Sequence, residues 1–219
     1  MESPVWKIGG DYRDRMALAS NAPAWIQIQF IQEGGGRVDL RMRLLQIIRE
    51  KSHEKGEITL TSGKKSHFYV DGKQTTLDSE GGYLVGKLFH EMIKRSKIPV
   101  EAVGGPTLGA DPIVTAISIV SYLEGVPIPA FIIRKEPKKH GTALWIEGDK
   151  NLKPGTNVAV VEDVVTTGGS ILRAIEIAKA QGLQVVQVLA LVDREEGGRE
   201  NLAKEGHIIE SIFTKSDIV

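Results

Sequence analysis

Val158-Ala159-Val160-Val161-Glu162-Asp163-Val164-Val165-Thr166-Thr167-Gly168-Gly169-Ser170 decides the reading of this chain. Its first four residues are apolar and mostly β-branched, the composition of a strand buried on both faces. The strand is expected to stop at the two adjacent carboxylates. A turn of small hydroxyl residues and glycines follows, and then Ile171 to Ala178 with the apolar spacing of a helix. Such an order makes an anion site. The first-turn N–H groups of the helix lack intrahelical partners, the dipole adds positive charge, and glycine lets the backbone approach a phosphate. Carboxylates repel phosphate, so Glu162 and Asp163 must face another part of the same ligand. Sugar hydroxyls or a bound cation are the candidates.

A strand, a glycine turn and a helix are common in α/β proteins. The full combination is sharper: four apolar residues, Glu-Asp, two apolar residues, then Thr-Thr-Gly-Gly-Ser. It closely resembles the phosphoribosyl diphosphate (PRPP) signature of type I phosphoribosyltransferases.

Composition narrows the classes. The 219 residues fit one α/β domain with an extension, and Lys plus Arg equals Asp plus Glu at 28 each. No global basic field exists for nucleic acid. There is no cysteine, so disulfides, thiolate catalysis and cysteine zinc sites are excluded, which suits a cytoplasmic protein. No apolar run approaches the roughly 20 residues that span a bilayer, and Met1 to Trp6 does not read as a secretory signal.

Residues 1–38 do not read like the rest. Ala24 to Phe30 alternates as an edge strand would, and Gly34-Gly35-Gly36 breaks the chain. This segment is taken as an extension, either disordered or upstream of the true start, for which Met42 would serve. Deletion up to Arg41 is expected to leave activity intact. The domain proper is 39–219, with a small hood over about 40–75 and a core over about 76–213.

Leu44, Leu45, Ile47 and Ile48 mark an amphipathic helix over 40–51. Gly56 to Leu60 and His67 to Asp71 read as a hairpin around the basic turn Thr61–Ser66, and Tyr69 would either stack on a planar ring or pack in the core. A helix is expected from Asp78 to Lys94, with a short strand over Val100–Val103. Gly104 to Asp111 then forms a second glycine turn, with Asp111 capping a helix that opens at Pro112. Two such turns on one sheet edge give two anion sites where open α/β sheets bind ligands.

Ile128 to Ile133 is a strand. Arg134-Lys135-Glu136-Pro137-Lys138-Lys139-His140-Gly141-Thr142 then places four strong cations and a histidine within seven residues. Charge runs are usually solvated loops, but this one lies between two phosphate-type turns. Leu183 to Val192 is an apolar strand ending in Asp193-Arg194-Glu195-Glu196-Gly197-Gly198. At that edge the Arg194 guanidinium would either grip a planar carboxylate with two donors or pair with Glu195 or Glu196. A short helix over 202–205 and a strand over 207–213 close the chain.

The strand–Ser-Gly-x-x-Ser–strand order and the Arg-Lys-Glu-x-Lys-x-His-Gly loop resemble the hood and catalytic loop of orotate phosphoribosyltransferases, from about Met42 to Phe213. The implied fold is a mostly parallel sheet flanked by helices on both faces, with a small hood. The resemblance implies transfer of phosphoribosyl from PRPP to orotate. It further implies that Val164 and Val165 contact PRPP, that Thr166 to Ser170, with Thr167, Gly168 and Gly169 between, hold the 5-phosphate, and that Glu162 and Asp163 hold ribose. Thr107, Leu108 and Gly109 hold pyrophosphate with Mg²⁺, which PRPP and water coordinate rather than a protein cage. Lys138 is the central catalytic residue, assisted by Arg134, Lys135 and His140, and these four also grip PRPP. Thr166, Arg194, Tyr69 and Val70 orient orotate. A homodimer whose 134–141 loop reaches the neighbouring subunit is implied. Many relatives carry lysine where Gly109 stands, so here pyrophosphate charge must be met elsewhere. Two other readings share the central signature: a different base as substrate, and a PRPP-sensing regulator that binds nucleic acid. A panel of bases tests the first, and salt-sensitive nucleic-acid binding without turnover tests the second.

Overall fold

Alternation along the central strands builds the molecule. In a computed structural model, residues 39–59, 65–137 and 145–219 are described, with only the backbone course given for 54–59 and 65–67. The expectations for residues 1–38, Lys64, and Lys138 through Thr142 therefore fall outside the described residues. The strands are β1 (His53–Thr59), β2 (Lys65–Val70), β3 (Ala102–Pro106), β4 (Ala130–Ile133), β5 (Ile146–Glu147), β6 (Asn157–Val165), β7 (Gln184–Asp193) and β8 (Ile209–Thr214). The helices are α1 (Leu40–Ile47), α2 (Gly72–Thr76), α3 (Ser79–Lys94), α4 (Ala110–Leu123), α5 (Gly169–Ala180), α6 (Gly198–Lys204) and α7 (Lys215–Ile218).

β1 and β2 pair antiparallel as the expected hairpin. The main sheet has the order β5-β4-β3-β6-β7-β8, parallel throughout except at β4–β5. Successive residues of one strand point to opposite faces. Val103, Ala159, Val161, Leu189 and Leu191 share a core with α1, α3 and α4. Ala102, Val158, Val160, Val188 and Ala190 share another with α5 and α6. A sheet covered on both faces is thereby read from period-two alternation within apolar runs.

Four local expectations change. β6 does not stop at the carboxylates: Glu162 pairs with Ala190 and Val165 with Asp193, because β7 continues the ladder beside it. The strand expected over Val100–Val103 lies at Ala102–Pro106, so Gly104 and Gly105 belong to β3 and not to the turn. A Cβ on Gly104 would lie 2.2 Å from the Phe131 ring, which packs directly on the bare backbone. Finally, α4 opens at Ala110 with Gly109 at its N-cap, so Asp111 is not the cap. The Asp111 carboxylate instead accepts a hydrogen bond from the Thr107 hydroxyl at 2.8 Å. At the N-terminal side, the helix expected through Lys51 is α1 followed by a π-helical turn over Ile48–Ser52.

β4 lies on one side of β3 and β6 on the other. The strand order thus reverses between β3 and β6, the topological switch point at which open α/β sheets form a crevice beyond the carboxyl ends of their strands.

Candidate active site

The crevice is a cavity of 780 Å³, lined by Lys73, the Pro106–Gly109 turn, Ile133 to Glu136, Glu162 to Val164, Ser170 and Arg173, with Ala174 and Ile177 behind. Three segments singled out from the sequence thus meet: the acidic pair, the second glycine turn and the start of the cationic loop.

Gly168, in the left-handed conformation at φ 83°, turns the chain out of β6 and into α5. That conformation disfavours any residue with a Cβ. The turn aims the N-terminus of α5 at the crevice, and Ser170 donates its hydroxyl to Glu162 Oε2 at 2.8 Å. Glu162 is 5% exposed. Burial, and then the neighbouring charge of Asp163, push its carboxyl up to about 8, while the Ser170 hydrogen bond acts in the opposite sense. Burial thus disfavours the ionised form of Glu162 in the free protein. Thr166, Thr167 and Gly169 belong to the same turn but do not line the cavity. Thr167 offers its carbonyl to Asn201 at 3.0 Å. Val165 is buried in the core.

Gly109 faces Asp163 so closely that a Cβ there would lie 2.3 Å from Asp163 Oδ1. This accounts for glycine where a cation was missing. The cation comes from a residue not foreseen, Lys73, at the start of α2. Its ammonium contacts Asp71 Oδ1 at 2.6 Å. The hydrogen bond that Lys73 donates to Asp71 holds the Lys73 pKa above the usual lysine value, despite partial burial, and the charge of Asp163 adds to it. Asp71-Gly72-Lys73 directly after a strand was the available signal; the distance from Lys73 to Asp163 along the chain hid it.

Arg134 and Lys135 line the cavity as expected. The Arg134 guanidinium bonds Glu147 Oε1 at 2.7 Å, and its backbone N–H reaches the Trp145 carbonyl at 2.9 Å. A second unforeseen residue, Arg173 of α5, donates to the Lys135 carbonyl at 3.3 Å and lies over the Trp145 ring. Lys138 and His140 lie outside the described residues.

The residues assigned to a planar acid are not in this cavity. Arg194 follows β7, and its backbone N–H donates to the Val165 carbonyl at 2.9 Å, beside the phosphate turn. Its guanidinium is buried and engages the Phe68 carbonyl of β2 and Glu196. Both sequence alternatives for Arg194 are thus in play: it pairs with Glu196 while standing at the ligand edge. Tyr69 is half-buried, whereas Val70 is buried within the hydrophobic core and its side chain packs there.

A phosphoribosyl transferase domain model matches residues 93–216. The orotate phosphoribosyltransferase of Aquifex aeolicus is 48% identical over 182 residues, covering 82% of this chain and 97% of the relative. Among solved structures, Mycobacterium tuberculosis orotate phosphoribosyltransferase in complex with Fe(III) dicitrate superposes with a TM-score of 0.71 at 37% identity, over 82% of this chain and 98% of that one. The same enzyme in complex with PRPP gives 0.68 at 35% identity, with the same coverage of both chains.

Proposed function

The chain belongs to the orotate phosphoribosyltransferases, and from that premise we propose how its residues divide the work. The reaction transfers the 5-phosphoribosyl group from PRPP to orotate, giving orotidine 5′-monophosphate and pyrophosphate in pyrimidine biosynthesis. The observation that carries the assignment is the convergence of the Glu162–Asp163 pair, the Thr107–Gly109 turn and the Arg134–Lys135 cations on one crevice.

The N-terminus of α5, from Thr166 to Ser170, takes the 5-phosphate through backbone N–H groups. Glu162 and Asp163 take the ribose hydroxyls, and Ser170 keeps the Glu162 carboxyl in place. The Thr107–Gly109 turn and Lys73 take pyrophosphate. The bond to pyrophosphate breaks as positive charge grows on the sugar and negative charge on the leaving group. Cations fixed where that charge develops lower the barrier, one donor contributing about 3–4 kcal/mol. Lys138 is assigned that role, with Arg134, Lys135 and His140 beside it. Arg194, Thr166 and Tyr69 orient orotate, whose ring nitrogen ionises readily and needs no general base.

Mg²⁺ fits this arrangement. It is a hard ion that keeps water and substrate phosphate oxygens as ligands, and among the described residues no group of three His, Cys, Asp or Glu is gathered to cage it. Asp163, beside the pyrophosphate turn at Gly109, is the carboxylate placed to meet its water shell. When bound, the ion neutralises charge on the departing pyrophosphate.

The working form is proposed to be a cytoplasmic homodimer. Ile119, Tyr122 and Leu123 leave a largely exposed apolar strip on α4, continued by Val126, of the kind that a second copy covers. Among the described residues no helix is long and apolar enough to cross a membrane. The deciding experiment is the loss of orotate absorbance on adding PRPP and Mg²⁺ to purified protein. Unchanged absorbance at saturating PRPP rejects the assignment.

A further inference from the structure

Lys135 stands at the thinnest part of the sheet. β5 has two residues and is the outermost strand. It pairs with β4 through Ile132–Glu147 and Ile133–Ile146, and a further rung joins the Arg134 N–H to the Trp145 carbonyl at 2.9 Å. So short an edge strand is held weakly by backbone pairing alone. A lysine side chain is long and flexible, so the place where its ammonium acts depends on how firmly its backbone is fixed.

Arg173 supplies that fixing from α5. Its Nη2 donates to the Lys135 carbonyl at 3.3 Å, and its guanidinium lies 5.6 Å from the centroid of the Trp145 ring. The two contacts do not compete, because stacking uses the flat face of a guanidinium and hydrogen bonding uses its edge. One side chain thus touches the chain leaving β4 and the chain entering β5. α5 is itself held rigidly, since Ile171, Ala174 and Ile175 are buried in the core it shares with the sheet. Arg173 leaves α5 one turn after its start at Gly169, and it lines the same crevice as Lys135.

We propose that Arg173 is a positioning residue for PRPP: stacked on Trp145 and bonded to the Lys135 carbonyl, it registers the Lys135 cation on the helix that opens at the phosphate turn. The inference rests on the assignment of Lys135 to PRPP, and adds the residue through which that cation is placed. PRPP carries its phosphate and its pyrophosphate at opposite ends of one sugar, so the groups that meet them must keep a fixed separation. Small misplacements in such a site are costly. Without Arg173, the link between the phosphate turn and Lys135 runs through the sheet and its two-residue edge.

The test is steady-state kinetics on the full chain, at saturating orotate and Mg²⁺ and varied PRPP. Arg173→Ala and Trp145→Leu should each lower kcat/KM for PRPP about fivefold, the scale of an exposed cation–π contact with one hydrogen bond. The double variant should lose little more than either single one, because both break the same clasp. KM for orotate should stay within about twofold, and Trp145→Phe, which keeps an aromatic face, should restore most of the efficiency. The chain has three tryptophans, Trp6, Trp25 and Trp145. With Trp6→Phe and Trp25→Phe in place, Arg173→Ala should change the emission of Trp145, and unchanged emission overturns the clasp. Losses that multiply in the double variant, or a loss with Arg173→Ala and none with Trp145→Leu, show that Arg173 works independently of Trp145 and refute the positioning role. So does a parallel loss for both substrates with a lowered melting temperature, the mark of a merely structural residue. Lys135→Ala is the control. If it lowers kcat/KM for PRPP while neither Arg173→Ala nor Trp145→Leu does, the positioning role is refuted and the Lys135 assignment survives. If Lys135→Ala changes nothing, the assignment fails and the positioning role with it.

Discussion

Ser170 hydrogen-bonds Glu162 Oε2 at 2.8 Å, tying the first turn of α5 to the carboxylate at the end of β6. The turn at the head of α5 and the acidic pair are thereby one unit, so on the proposed assignment a change at Glu162 is felt at both phosphate and ribose. Glu162→Gln replaces one acceptor oxygen by an amide donor and should cut turnover about 10-fold, from the loss of one hydrogen bond of roughly 1.5 kcal/mol. Initial rates at saturating orotate and PRPP measure it; near wild-type turnover would remove Glu162 from ribose binding.

The same substitution has a pH signature in stability. A carboxyl raised from its ordinary value to about 8 in the fold binds its proton more tightly folded than unfolded. Its stabilising contribution is complete below the ordinary carboxylate pKa and is lost as pH rises through the folded value. Glu162→Gln should therefore gain stability relative to wild type progressively between the ordinary range and about pH 8. Paired thermal melts across that window read the difference. A constant offset between the two proteins would contradict the raised value.

Gly109 has no room for a side chain, because a Cβ would fall 2.3 Å from Asp163 Oδ1. Gly109→Ala should push that carboxylate aside and lower kcat/KM for PRPP by about tenfold or more, within the reach of small misplacements in a positioned site. The melting temperature should change little. A wild-type KM for PRPP in this variant would show that Asp163 is free to move without consequence.

Lys138→Ala should cut turnover by about 100- to 1,000-fold with little effect on folding, as expected for removal of one charge-stabilising donor. Single-turnover rates at saturating substrates isolate the chemical step. Turnover within a few-fold of wild type would transfer the role to Arg134, Lys135 or Lys73.

Arg41 anchors the start of α1. Its guanidinium donates to the Ile212 carbonyl at 3.2 and 3.1 Å and lies over the Phe213 ring. The expectation that deletion up to Arg41 leaves activity largely intact is joined by one for stability, since Arg41 ties α1 to the last strand. Removal of residues 1–38 should leave stability unchanged, and removal through Arg41 should cost about 1–2 kcal/mol, in the range of hydrogen bonds from a charged donor. Urea denaturation of the two truncations separates them.

Much of the site was legible because its chemistry is local. The acidic pair, the glycine turns and the cationic run each lie within a few consecutive residues, and each follows a strand. Apolar alternation then puts those strand ends on one edge. Boundaries were less legible, since β6 continues through Glu162 and Asp163 only because β7 offers a ladder there. Gly104 and Gly105 likewise read as a turn until the neighbouring β4 pairs with them.

The sequence by itself determined the class of fold and singled out the acidic pair, the glycine turns and the start of the cationic run, because each depends on spacing along one short segment. Tertiary structure alone decided which distant groups complete the site. It brought Lys73 to the crevice that Asp163 lines, and it closed the Arg194 head group between Phe68, 126 residues away, and Glu196. The physical reason is that charge and hydrogen bonding act through space over a few ångströms. Which side chains come that close is set by strand order and helix packing, and no local pattern records it.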